Sequence, residues 1–429
     1  MSLAMPGFNQ KVSWWCLSLV ISLFFMWGVA NNLNDILVHQ FKKSFVLSDF
    51  QSGLVQSAFY FGYFFCAVPA ALVMQRFGYK VAILCGLVLY TLGALLFYPA
   101  AEIQIYSYFL LALFIIACGL AFLETSANPY ICALGSPQTA QQRLNLAQAF
   151  NPLGAISGIL IGQHFIFSGL EYSPEQLASF TQEQLSAFYH SEVLAVQSPY
   201  LVIAAVVALW FILVLLTGFP STKIDEQRQQ AQTEYAPRYR SLFAYRHFRW
   251  AAIAQFCYVG AQVGIWSFLI RYALQADSQL GEKMAANALT LSLLLFMIGR
   301  FLGAWLMSKI AGHTLMTYFA VVNVLLMLIA IFVVGHGGIG ALILASFGMS
   351  IMFPTIFAMG VSDVGNHTSL AASVLVMAII GGAILTALMG AISDHSHIRF
   401  AFWVPAVCFA IIAFFSVFRR VKHSTTHLG

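Results

Sequence analysis

Two acids lie where an apolar chain has least reason to put them. Asp35 and Glu124 each fall inside a long hydrophobic stretch. A charged side chain at the centre of a membrane helix costs about 2.5–3.5 kcal/mol on insertion scales. Such a group therefore needs a partner or a task. Surroundings of low dielectric disfavour the ionised form of a carboxylic acid, so the group can hold a proton near neutral pH. A carrier that moves protons needs that property. An acid neutralised for structural reasons is the other reading.

The neighbours of these acids are rich in amides. At about 100° per residue, Trp27, Asn31, Asn32, Asn34 and Asp35 fall within an arc of roughly 160°. Glu124 and Asn128, four apart, share a face. Asn145, Gln148 and Asn151 span an arc of about 120°. Gln255, Tyr258, Gln262 and Trp266 form a further stripe at helical spacing. Amide side chains both donate and accept, which suits hydroxyl-rich ligands, and indole and phenol rings can stack on sugar faces. The same amides can instead join helices, at about 1 kcal/mol or less per bond. Arg300 is a basic group well inside an apolar stretch. It can pair with an acid or with carbonyls, or reach toward the interface. Arg300 and Asn128 are the candidates for gating or coupling. His164 reads as an interior histidine or a proton relay. Asp394, His395 and His397 crowd one segment, but their spacing is a weak metal signal and no metal is expected.

The elements that must position these side chains are membrane helices. The chain has 429 residues, 60% hydrophobic and only 8% charged, where a soluble protein carries about 25% charged residues. Backbone polar groups in lipid must be satisfied within the element, and a spanning helix needs roughly 20 apolar residues. Twelve such spans are read, near 14–38, 51–75, 80–99, 104–134, 143–168, 197–219, 250–274, 285–309, 314–334, 338–360, 369–392 and 400–418. Residues 1–219 then form an N-terminal six-helix half and 250–429 a C-terminal one. The charged stretch 220–249, with Lys223, Asp225, Glu226, Arg228, Glu234, Arg238, Arg240, Arg246 and Arg249, links them.

Lysine and arginine favour cytoplasmic loops. Their bias, led by the linker with Arg76, Lys80 and Lys309, puts both termini and the linker inside. The 169–196 segment carries Glu171, Glu175, Glu183 and Glu192 with no Lys or Arg, which suits the outer face. Ser173-Pro174-Glu175 is a helix-start signal there and predicts a short surface helix. Spans four and ten each carry a late proline, Pro129 and Pro354. Paired proline-interrupted segments in two halves point to a midplane site in transporters. The seven cysteines all fall in apolar stretches and give no disulfide or zinc framework. No cleavable leader is evident. There is no Gly-x-Ser-x-Gly, His-Glu-x-x-His or phosphate loop, so neither an enzyme nor coupling to ATP within this chain is supported.

Several runs resemble the L-fucose permease branch of the major facilitator superfamily. They are Trp27-Gly28-Val29-Ala30-Asn31-Asn32-Leu33-Asn34-Asp35, Gln56-Ser57-Ala58-Phe59-Tyr60-Phe61-Gly62-Tyr63-Phe64, Leu123-Glu124-Thr125-Ser126-Ala127-Asn128-Pro129 and Arg143-Leu144-Asn145-Leu146-Ala147-Gln148. The second half adds residues 254–262 and Pro354-Thr355-Ile356-Phe357. The resemblance covers nearly the whole chain. It implies two six-helix bundles around a central cavity, rocking to expose it to either side, and proton-coupled uptake of a sugar. L-fucose leads, with galactose- or glucose-type hexoses behind; a proton-coupled drug exporter or a sugar sensor that does not transport are the rival readings. Asp35 and Glu124 match the branch's cavity acids, and Gln148 and Asn151 its sugar-contacting amides. Asn32 lies in the matching first-span motif, and the same role extends to Gln255, Tyr258 and Gln262. The expected partners are a sugar, protons as the coupling ion and the lipid bilayer, with no cofactor and no nucleic acid. The protein is expected as a monomer in a bacterial inner membrane. Two departures stand out. Gln75-Arg76-Phe77-Gly78-Tyr79-Lys80 keeps the basic residues after span two but lacks the usual acid. Phe353 stands where the branch can have tyrosine before the span-ten proline.

Overall fold

A computed structural model describes residues 14–45, 49–161, 165, 179–220, 239–276, 282–333 and 335–426. Regular structure in them is helical throughout. In the first half the helices are α1 (Trp14–Ser44), α2 (Asp49–Phe77), α3 (Tyr79–Ile103), α4 (Tyr106–Ala133), α5 (Ala140–Gln148), α6 (Phe150–Ile161), α7 (Gln182–Leu194) and α8 (Gln197–Leu216). In the second they are α9 (Tyr239–Leu242), α10 (Arg246–Ala276), α11 (Glu282–Leu306), α12 (Gly312–Phe332), α13 (His336–Met349), α14 (Met352–Val361), α15 (Thr368–Met377), α16 (Gly381–His395), α17 (Ile398–Ala401) and α18 (Trp403–Thr426). Among the described residues, 11 helical stretches are long and apolar enough to cross a bilayer. The fifth span of the sequence reading, 143–168, is not among them. Ala149 divides it into α5 and α6, and residues 162–164 and 166–178, with His164, lie outside the described set. So does 221–238 of the linker.

Prolines accompany two breaks in spans, and another lies inside a helix that continues. Pro152 has no N–H to give the carbonyl of Gln148, four residues earlier, and the helix is interrupted just before it. In span ten the chain breaks between α13 and α14, so Pro354 falls in the first turn of α14, where a missing N–H does no harm. Pro129, by contrast, lies inside α4, which continues through it to Ala133. The surface helix predicted after residue 169 is α7. The Ser173-Pro174-Glu175 start signal lies outside the described residues, and α7 is capped by Thr181. The Thr181 hydroxyl accepts from the Gln184 amide at 3.2 Å, and the Gln184 side chain accepts from the Thr181 amide at 3.0 Å. These reciprocal bonds close a capping box.

Contacts divide the chain into two compact units. The first comprises Ser13–Ala127 and Leu153–Pro220. In it the Trp210 indole donates to Ser22 Oγ at 2.6 Å and ties α8 to α1. Phe97 and Tyr200 stack with centroids 3.6 Å apart. Gly154 on α6 passes so close to α1 that a Cβ would meet the carbonyl of Phe25. The second unit comprises the described residues of Asn128–Pro152 and Ser221–Gly429. There Tyr272 donates to the Ala330 carbonyl at 2.7 Å, joining α10 to α12. Asn323 on α12 donates to the Ala345 carbonyl on α13 at 3.1 Å. Large apolar side chains such as Phe61, Phe65, Leu92, Trp305, Leu325 and Val407 point outward, as expected of helices solvated by lipid.

Candidate functional site

Within the second unit a polar network runs through buried positions. Gln148 ends α5 and is 3% exposed. Its Nε2 donates to Asn128 Oδ1 on α4 at 3.0 Å. Its Oε1 accepts from Arg300 Nη1 on α11 at 2.9 Å, and the same Nη1 donates to the Gln148 backbone carbonyl at 2.7 Å. That carbonyl is the one Pro152 leaves without a helical partner. Proline spacing and arginine position thus account for each other. Arg300 is 4% exposed, and its guanidinium also lies 4.8 Å from the Phe296 ring centroid. The Tyr258 hydroxyl lies beside the guanidinium. In these contacts amide and carbonyl oxygens and the Phe296 ring face the cation.

Two more buried amides lie in the same unit. Asn145 donates to Thr355 Oγ1 at 3.0 Å and to the Gln141 carbonyl at 2.8 Å. Gln255 is fully buried on α10, yet neither polar atom of its side chain has a protein hydrogen bond among the described residues. Nor does Nδ2 of Asn128. A buried amide without a partner costs about 1–3 kcal/mol. These atoms hold unspent capacity for a polar ligand. Tyr258 packs edge-on to Phe353, with centroids 6.1 Å apart. Gln262 and Asn151 are half-buried on α10 and α6. The Trp266 indole donates to Ser346 Oγ at 3.0 Å, and its ring lies edge-on to Phe296, centroids 5.0 Å apart.

The first unit holds the acids. Glu124 is 3% exposed on α4, beside the hydroxyl of Tyr63 on α2. Asn32 is half-buried on α1 and donates to the Gly28 carbonyl one turn earlier at 3.3 Å. Asp35 falls in α1, but its side chain lies outside the described residues.

Sequence reasoning singled out Arg300, Gln148, Asn128 and Tyr258 separately, and the fold joins them. It missed Thr355, Tyr63 and Phe296. The Gln148–Pro152 spacing was a signal for an orphaned carbonyl. Nothing in the sequence marked Thr355 as the partner of Asn145, 210 positions away.

Comparison with known proteins places this architecture. The sequence profile of the Major Facilitator Superfamily matches residues 13–379. The L-fucose-proton symporter of Escherichia coli (strain K12) is 48% identical over 404 residues, 94% of this chain and 92% of that protein. The L-fucose-proton symporter of Haemophilus influenzae is 36% identical over 94% of this chain and 96% of its own length. A glucose/galactose transporter of Brucella abortus is 35% identical, with 95% of each covered. A crystal structure of the E. coli fucose:proton symporter superimposes with a TM-score of 0.86, at 47% identity, covering 94% of this chain and 98% of that one. The chain belongs to the major facilitator superfamily. It is a multi-pass membrane transporter with the major facilitator fold.

Proposed function

We propose that this chain is a proton–sugar symporter that takes up L-fucose by alternating access. The observation that carries the reading is the buried Asn128–Gln148–Arg300 network, one helical turn along α4 from the buried carboxyl of Glu124. The network supplies amides for hydroxyls, and Glu124 an acid for a proton, in spans otherwise apolar. The names and identities of the fucose–proton symporters above support the same substrate.

In this reading Glu124 and Asp35 carry the proton. Each binds it in one orientation of the carrier and releases it in the other. Gln148, Asn151, Asn32, Gln255, Tyr258 and Gln262 hold the sugar, and Arg300 with Asn128 sets the geometry of Gln148. The amide of Gln148 has one N–H and one lone pair committed, which leaves one of each for a ligand hydroxyl. The membrane potential supplies about 2.3 kcal/mol per charge per 100 mV, and a pH gradient adds to it. Protons are the coupling ion and no cofactor is required. Both termini and the linker lie in the cytoplasm, the halves are 1–219 and 250–429, and the protein acts as a monomer in a bacterial inner membrane.

The test is sugar-dependent alkalinisation of an unbuffered suspension of expressing cells. L-fucose is expected to raise the external pH; no response to any sugar would end the symport reading. A second reading, a glucose- or galactose-type hexose, has two observations in its favour. Phe353 turns a hydroxyl-free ring toward Tyr258, and transporters named for those hexoses are also relatives. A response to galactose or glucose in place of L-fucose would select it.

A further inference from the structure

The corner between α4 and α5 is held by a side chain to which the transport reading gives no role. Arg143 lies at the start of α5 and is 4% exposed. Its Nε donates to the carbonyl of Ile131 at 3.3 Å and its Nη2 to that of Cys132 at 2.7 Å. Its Nη1 donates to the Ser136 carbonyl at 2.9 Å and to Thr139 Oγ1 at 2.5 Å. Ile131 and Cys132 close the last turn of α4, where carbonyls lack partners within the helix and the dipole favours a cation. One planar fork thus reaches the end of α4, the connecting turn and the start of α5. A lysine ammonium, with three donors at a single point, cannot.

The next bond along the same corner is the one that orients the sugar amide. Gln148 follows Arg143 by five residues on α5, about 7.5 Å along the helix, and donates there to Asn128 of α4. We infer that Arg143 is a positioning residue for sugar binding. It clamps α4 to α5 so that Asn128 and Gln148 meet, and thereby fixes which way the Gln148 amide faces. The inference rests on the reading of Gln148 as a sugar ligand. A purely structural arginine would cap α4 and leave binding alone.

The test is a double-mutant cycle on the purified full-length chain, with L-fucose binding read by calorimetry. Arg143→Lys is expected to weaken binding about tenfold in the native background. It should weaken it less than about twofold where Asn128→Ala has already broken the pair, because both changes then act through one bond. No loss in the native background, or an equal loss in both, overturns the inference. If Arg143→Lys does not give folded protein, Thr139→Val removes a single acceptor and carries the same comparison, with an expected loss of about threefold. A native chain that binds neither L-fucose nor another hexose removes the sugar reading itself, an outcome distinct from native binding that Arg143→Lys leaves intact.

Discussion

At the scale of the residue, the proposed function rests on an acid and an amide. Glu124 is buried in an apolar helix beside the Tyr63 hydroxyl, so its ionised form is costly there. Glu124→Gln is expected to abolish accumulation of sugar against its gradient while the protein still reaches the membrane. Radiolabelled uptake with and without a protonophore measures this; a variant that still concentrates sugar would remove Glu124 from the proton path. Gln148 is bonded at both ends of its amide. Gln148→Ala leaves the Arg300 cation and Asn128 short of a partner inside the bundle. Loss of a buried partner costs about 1–3 kcal/mol, more beside a charge. Sugar binding is expected to fall at least about tenfold, read by calorimetry. Unchanged affinity would mean that the amide only joins helices.

At the scale of the element, prolines and glycines decide what the helices can present. Pro152→Ala would restore an N–H to the Gln148 carbonyl, and the helix would then compete with Arg300 for that oxygen. Transport is expected to slow several-fold at unchanged expression, while a native rate would show that Arg300 does not depend on the break. Gly154→Ala drives a Cβ into the Phe25 carbonyl, backbone that cannot turn aside. Overpacking of this kind costs about 1–3 kcal/mol, and a lower unfolding midpoint in detergent is the expected result. Much of this level was legible in the sequence. Long apolar runs announced the spans because lipid leaves the backbone no other partner than its own helix. Asp35, Glu124 and Arg300 announced themselves by cost. Other features were not legible. The Thr181 cap was not singled out, since it rests on reciprocal bonds with Gln184. The partnership of Asn145 with Thr355 joins distant positions, which no local pattern encodes. The division of span five at Ala149 was within reach, since Pro152 stood in the sequence, but the break matters only because Arg300 comes to meet the carbonyl.

At the scale of the whole molecule, orientation follows from where the basic residues fall. Reporter fusions are the measure. Alkaline phosphatase joined within 169–181 is expected to be active and joined within 221–238 inactive; the reverse would invert the assignment. In the proposed function selectivity belongs to this scale too, and it would turn on what the Gln148 amide admits. After Asn128 and Arg300 are served, the Gln148 amide keeps one donor and one acceptor. A hydroxyl can answer both, a fluorine only the donor, and a hydrogen neither. A series of sugars carrying OH, F or H at one carbon should therefore bind in that descending order at the carbon that faces Gln148, and without order at the others. Read around the ring, such a series would show which edge of the sugar the protein grips.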